Sequence, residues 1–311
     1  MEIEDATGPD LKSKLNSLIH SFRASPFKAA PEREAEMRNI RDELGVCIRM
    51  DVHETDWIFE GRSYFGANQI VVSLRSLERL WCVCYAFTAI VSEIQKVDGD
   101  YFRLQHSKEY ALAFRTLDWV KQDTLADLEC SWPDWMPSPR DKDSLEHVEA
   151  ADHYFLMTSG RILLHEIAHF KLKHSTNPDA DPEALKQEEI EADDWADDWL
   201  FEQHTDYNDD ARVFVGRAMG VAFCHAITLF FGSRKKEISK THPNPIDRLV
   251  NFVDRKIPLG KPIEKRIEHA PCGMLLVVIG KLLFDKGDSP NFEDLDESYA
   301  EIFKRFRDSF K

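Results

Sequence analysis

The sequence predicts a predominantly helical α+β protein in which a small sheet precedes the principal helix. Three observations carry that expectation. Residues 144–173 contain no proline, and Tyr154, Thr158, Ile162, His165, His169 and Leu172 follow one another at the three- and four-residue steps of one helical face. Apolar runs at 80–91, 213–231 and 273–284 read as buried helices: two are too short to span a bilayer, and the middle one is interrupted by Arg217 and His225. Only residues 45–73 carry the alternation and turn chemistry of strands. With 311 residues, 43% of them hydrophobic, the chain can bury a sizeable core.

In chain order, residues 11–22 form a short amphipathic helix, 25–31 a linker and 31–44 a charged helix. Strands are expected at 45–52 and 57–60, followed by a turn at Gly66-Ala67-Asn68 and a third strand at Gln69, Ile70, Val71, Val72 and Ser73, the last also placed to cap the next helix. We nominate this third strand as an open sheet edge, to which an extended peptide could hydrogen-bond; an ordinary internal strand is the alternative. Residues 107–128 are helical, and 130–140, with Pro133, Pro137, Pro139 and two tryptophans, form a stiff loop that is the best boundary in the chain. It divides an α/β front part, 1–140, which contributes the sheet, from a helical part, 141–311, the two folding as one cooperative unit. Asp181 can N-cap a helix with Pro182 at its first position. Residues 209–231 make a buried helix whose Gly216 and Gly220, four apart, would let another helix come close. Two closing helices are expected at 261–284 and 292–310.

The net charge of −16 argues against a nucleic-acid backbone as the main partner, since phosphate binding needs a basic face. Much of the imbalance lies in residues 179–210, with 14 acidic residues against Lys186. That window reads as the solvated outer face of a helix, or, more sharply, as an acidic rim attracting a metal or a basic substrate segment. Six scattered cysteines (Cys47, Cys82, Cys84, Cys130, Cys224, Cys272) without a paired motif, and an N-terminus lacking a charged-then-apolar leader, fit a reducing cytoplasm; no integral membrane span is expected.

Chemistry concentrates in the long helix, which spells His165-Glu166-Ile167-Ala168-His169. Positions i and i+4 share a face, so His165 and His169 can offer two imidazole nitrogens to one Zn2+. Glu166 would stand beside it as the base that takes a proton from a metal-activated water and passes it to a leaving amine. For a third ligand, His174 lacks the glycine turn of a His-x-x-Gly-x-x-His arrangement, having Lys171 and Leu172 instead, and reads as a helix C-terminal residue on the last carbonyls. Glu189 and Asp193, again i and i+4, are better placed: one carboxylate can complete the site while the other orients a ligating imidazole, that of His165. Glu188 and Glu191 lie off that face and read as solvated. Thr241-His242-Pro243 with Arg248 forms a late element in which His242 could aim a donor at a developing oxyanion. Arg248 could fix that histidine, bind a substrate carbonyl or pair with a site carboxylate.

These three ordered motifs, His-Glu-x-x-His, Glu-x-x-Ala-Asp and His-Pro-x-x-x-x-Arg, resemble those of the gluzincin zinc peptidases. More narrowly, with Ser25-Pro26-Phe27-Lys28, Ala30-Pro31-Glu32 and Ser131-Trp132-Pro133, the chain resembles the Lit phage-exclusion peptidases of bacteria. The resemblance implies a zincin-like (gluzincin) catalytic core, one zinc per chain on His165, His169 and Glu189, and Glu166, His242 and Arg248 as the catalytic set. It also implies a soluble endopeptidase that cleaves elongation factor Tu when a phage-derived peptide signals infection. Two other classes stay open: a binding or adaptor protein stabilised by a structural zinc, and a latent peptidase effector with a different protein substrate.

Overall fold

The structure, a computed structural model, describes residues 9–51, 61–96, 106–122, 132–139, 145–174, 180–202, 211–232 and 242–256. Its elements are α1 (Pro9–Lys28), a 3-10 turn (Pro31–Arg33), α2 (Glu34–Leu44), β1 (Cys47–Asp51), β2 (Gly61–Tyr64), a 3-10 turn (Phe65–Ala67), β3 (Gln69–Ser73), α3 (Leu74–Lys96), α4 (Lys108–Gln122), α5 (Leu145–Leu172), α6 (Pro182–Phe201), α7 (Ala211–Gly232) and α8 (Pro245–Lys256). The described chain is thus predominantly helical with one small sheet. The strand expected at 57–60, the end of the fourth helix, Cys130, Cys272 and the two closing helices lie outside the described residues.

Two local predictions change. The first helix runs through Pro26 to Lys28 rather than giving way to a linker at Ser25. Proline supplies no N–H for the Phe22 carbonyl, but the Ser25 hydroxyl donates to that oxygen at 2.7 Å, so the helix continues without leaving a buried acceptor unpaired. The second change concerns the sheet, whose order is β1-β3-β2, with β3 parallel to β1 and antiparallel to β2. Gln69, Ile70, Val71, Val72 and Ser73 therefore form the central strand, hydrogen-bonded on both sides, and present no open edge. The physical reason is legible in its composition: a short apolar run with Ile70 and Val72 buried is what an internal strand requires. The outer strands are β1 and β2, and β2 packs against α5.

The core is built on α3, which buries Leu77, Leu80, Trp81, Cys82, Val83, Ala86 and Phe87 around its whole circumference. Trp132, from the proline-rich loop, sits 5.3 Å from Trp81, and the Trp81 indole N–H donates to Asp152 of α5 at 2.7 Å. The loop is thereby held against the helix core. At the centre, α5 packs against α1, α3, α6 and α7. Glycines set two of these approaches. A Cβ on Gly160 would stand 2.7 Å from Ala29 Cβ, and one on Gly220 would stand 2.4 Å from Met157 Cβ. The expected close approach through α7 thus occurs at Gly220, whose carbonyl also accepts from the Thr158 hydroxyl of α5 at 3.1 Å. Gly216 faces the tip of His153. Among the described residues no helix is long and apolar enough to cross a membrane.

Candidate metal centre

Two helices build the site, and each contributes residues one turn apart. On α5 these are Arg161, His165 and His169; on α6 they are Glu189, Asp193 and Asp197. The two ladders meet in opposite order, so Arg161 reaches Asp197 (3.2 Å) and Asp193 (2.7 Å), His165 reaches Asp193 and Glu189, and His169 reaches Glu189. Local sequence holds the ladder in place. The Asp181 carboxylate accepts from the Glu183 N–H with Pro182 at the first position, starting α6 as its sequence predicts.

The ligand-type atoms of His165, His169 and Glu189 converge, all lying within 4.8 Å of one another. His165 Nε2 is 3.2 Å from His169 Nε2, and the Glu189 carboxylate oxygens are 3.4 Å from the first and 3.5 Å from the second. Ligands at about 2.0–2.1 Å from a tetrahedral zinc stand about 3.3 Å apart; each of these contacts is close to that spacing, the two from Glu189 being made by different oxygens, Oε2 to His165 and Oε1 to His169. The donors of this triangle, two imidazoles and a carboxylate, are those of a catalytic zinc with a position left for water or substrate.

Around the triangle, each ligand has its own support. Asp193, buried, lies 2.8 Å from His165 Nδ1 and is gripped from two sides: Arg161 Nη2 at 2.7 Å, and Arg248 through Nε at 2.5 Å and Nη2 at 2.7 Å. Of the roles open to Arg248, pairing with a site carboxylate is the one its position gives. Arg248 reaches there because the Asn244 carbonyl accepts the Asp247 and Arg248 N–H groups, starting α8 just after His242. His242 Nε2 lies 3.6 Å from Glu189 Oε1, and its side chain is 53% exposed. Glu166, half-buried, is carried on α5 between the two histidines of the motif.

The electrostatics follow from this packing. Burial opposes charge on Glu189, yet His165, His242 and Arg248 outweigh it and hold the carboxyl far below its usual range. Burial likewise opposes ionisation of Asp193, but Arg161, Arg248 and His165 keep it charged. For His165, burial disfavours the proton, but Asp193 and Glu189 push its pKa up to about 9. For His169, burial and then the neighbouring His165 press it down to about 3, so this ring is neutral, the state a ligand requires.

Within its described residues the acidic window divides: Asp181, Glu183, Glu191 and Glu202 are exposed, as a solvated face requires, while the others are drawn into the fold. Asp193 and Asp197 are buried against arginines, Asp194 and Asp198 pair with Arg255 of α8, and Glu202 lies 3.0 Å from Arg33. Glu191 is exposed but stands 3.5 Å from His174 Nε2. Sequence reading missed three supporting residues: Arg161, Asp197 and His174. The first two had a signal, being one turn before His165 and one turn after Asp193. The third did not, because its position depends on the turn that ends α5. Lys173, in the left-handed region at φ 59, donates its N–H to the Phe170 carbonyl, and the His174 N–H reaches back to the His169 carbonyl at 3.0 Å. This is the hydrogen-bond pair of a Schellman turn. It is the backbone N–H of His174, not the expected ring, that satisfies a last carbonyl, and the ring turns onto His169, Nδ1 to Nδ1 at 2.8 Å.

The family model described as Peptidase U49 matches residues 70–261, a span containing every residue of this site. The chain is also similar to the cell death peptidase of Escherichia coli strain K12, with 29% identity over 277 residues, covering 86% of this chain and 88% of that protein. No solved structure matches it.

Proposed function

The chain belongs to the Peptidase U49 family, and we propose that it acts there as a zinc-dependent endopeptidase on a protein substrate. The observation that carries this reading is the convergence of His165, His169 and Glu189 on two packed helices, with the two imidazole Nε2 atoms 3.2 Å apart and the Glu189 oxygens Oε2 and Oε1 3.4 and 3.5 Å from them. Zinc bound there would lower the pKa of water and polarise the scissile carbonyl. The chain's own residues do the rest. Glu166 takes the proton of the attacking water and delivers it to the leaving amine. His242, exposed beside Glu189, donates toward the carbonyl oxygen as it gains charge. Arg248 acts through Asp193, which it holds against His165, and is therefore a positioning residue. With β3 internal, an extended substrate has an outer strand for main-chain hydrogen bonding, and β2, packed against α5, is the one we assign.

For the substrate we take elongation factor Tu, cleaved in the cytoplasm during phage exclusion in response to a phage-derived peptide. That choice is supported by the resemblance to the Lit peptidases, and the similarity to a cell death peptidase agrees with an activity that stops the host cell. The test is mass spectrometry of new protein N-termini in bacteria expressing the wild-type chain or Glu166→Gln, with and without phage challenge, alongside zinc stoichiometry of both purified proteins. We expect one zinc per chain in both and a new terminus in elongation factor Tu with the wild type only. Removing the general base should lower cleavage by about 100- to 10,000-fold. A terminus in another protein overturns the substrate alone; equal cleavage by both chains overturns Glu166 as the base.

A further inference from the structure

The two imidazoles of the triangle are supported differently. Behind His165 stands a carboxylate, Asp193, locked between two arginines. Behind His169 stands a second imidazole. His169 Nε2 faces Glu189 and His165 Nε2, so its lone pair must point into the triangle for the ring to act as a ligand, which puts the proton on Nδ1. That N–H has His174 Nδ1 at 2.8 Å and can only donate to it. His174 Nδ1 must then be the acceptor, so the proton of His174 sits on Nε2, which points toward Glu191 Oε2 at 3.5 Å. The assignment is fixed by the inner pair, His174 accepting from His169 and His169 open toward the triangle; Glu191, at 3.5 Å from His174 Nε2, faces that N–H across an electrostatic contact rather than a hydrogen bond.

We infer that His174 is a positioning residue, which fixes the tautomer and ring orientation of His169 and so raises the affinity of the site for zinc. The inference rests on the zinc reading above. It adds a residue outside the His-Glu-x-x-His motif, placed by backbone geometry: the left-handed Lys173 reverses the chain and returns the His174 ring, buried, onto the far side of the ligand ring. His174 is not itself a ligand, since its Nδ1 meets the ligand ring on the nitrogen opposite Nε2. Ligating histidines normally donate their second N–H to a carboxylate, carbonyl or water, and losing that partner typically weakens metal binding 10- to 100-fold. Here the acceptor is an imidazole, and the same loss is expected.

The experiment is a zinc titration against a competing chromophoric chelator on the full chain, for wild type, His174→Leu and His174→Asn, with thermal melting of each in the metal-free state. Asparagine can place its side-chain oxygen near the position of His174 Nδ1 and accept the same bond; leucine cannot. We expect His174→Leu to bind zinc about 10- to 100-fold more weakly, His174→Asn to recover most of that loss, and the metal-free melting temperatures to agree. Nitrogen-15 NMR of the zinc-loaded wild type should show the Nδ1–H form of His169 and the Nε2–H form of His174. Equal zinc affinity for wild type and His174→Leu overturns the inference and leaves the peptidase reading standing. Failure of the wild type to bind zinc at all overturns both. A loss that asparagine does not recover, accompanied by a lowered metal-free melting temperature, makes His174 a packing residue and overturns the positioning role.

Discussion

Helices α3 and α6 are both buried in this fold, but by opposite means. Around α3 the buried groups are Leu77, Leu80, Trp81, Val83 and Phe87, whose burial is non-directional and depends on volume. Along α6 the buried groups include Asp193 and Asp197, and each depends on particular cations: Arg161 for both, and Arg248 for the first. The difference teaches where substitution is tolerated. An apolar core accepts a change of shape at constant volume, whereas a buried carboxylate facing two guanidinium groups does not accept loss of charge at constant shape. Leu77→Met should therefore cost less than about 1.5 kcal/mol, and Asp193→Asn about 3–5 kcal/mol, because it leaves Arg161 and Arg248 buried without their counter-charge. Urea unfolding of the two variants checks this. Equal losses would abolish the distinction between the regions.

Under the zinc reading proposed above, the metal should sharpen the contrast, because the residues that would hold it lie only in the charged region. Zinc at about 100 times its dissociation constant adds about 2.7 kcal/mol to the folded state, so a chelator should lower the melting temperature of wild type but not of a His165→Ala, His169→Ala double variant. The size of the effect depends on pH. In the metal-free site the pKa of His165 is raised from 6.5 to about 9, since Asp193 and Glu189 outweigh burial. A raised folded-state value stabilises the metal-free fold fully below 6.5 and loses that contribution as pH rises toward about 9. Zinc binding at His165 would have to displace the same proton. Both effects have one direction: the rise in melting temperature on adding zinc should grow from about pH 7 to about pH 9. Calorimetry in buffers of different ionisation enthalpy should record close to one proton released per zinc at neutral pH.

Packing at the centre offers a smaller contrast. Gly220 lies where α7 meets α5, and an added Cβ would stand 2.4 Å from Met157 Cβ and 3.2 Å from its carbonyl carbon, so Gly220→Ala forces helices apart. About 1–3 kcal/mol should be lost. Gly66, with nothing within 4 Å of an added Cβ, is the control, and Gly66→Ala should stay within about 0.5 kcal/mol. Comparable melting temperatures for the two variants would mean that α5 and α7 have room to adjust.

Much of this contrast was legible in the sequence, and the misreadings share a cause. The α3 helix is visible because its apolar run has no other use than burial. His165, His169, Glu189 and Asp193 are visible because one-turn spacing aligns them, and the structure brings all four together. The acidic face of α6 reads correctly at Glu183 and Glu191, which are exposed, and incorrectly at Asp193 and Asp197, because charge density alone does not reveal partners: Arg161 and Arg248 reach them only through the antiparallel packing of α5 and α6 and the docking of α8. The edge-strand assignment failed for a similar reason. Strand existence is local, but strand order is set by which segments return to pair, and β1 closes one side of β3 in parallel from across two intervening elements. Pro26 misled in the other direction: the general rule against proline was relieved by one hydroxyl one residue away.

The smallest predicted effect concerns the turn that places His174. A left-handed conformation costs a non-glycine residue about 1–2 kcal/mol, while glycine adopts it freely but gives up about 0.5–1 kcal/mol of backbone entropy on folding. Lys173, at φ 59 and exposed, carries that cost. Lys173→Gly should then raise stability by about 0.5–1 kcal/mol in the metal-free protein. Zinc affinity should stay unchanged, because the two backbone hydrogen bonds of the turn, to the Phe170 and His169 carbonyls, are formed by N–H groups that glycine keeps. Lys173→Val tests the opposite direction, since a β-branched side chain is poorly tolerated at positive φ. It should destabilise the turn, displace the ring of His174 and weaken zinc binding in step with His174→Leu. If Lys173→Val lowers stability but leaves zinc affinity intact, the turn closes the helix without serving the site, and the support of His169 must come from elsewhere in the charged region.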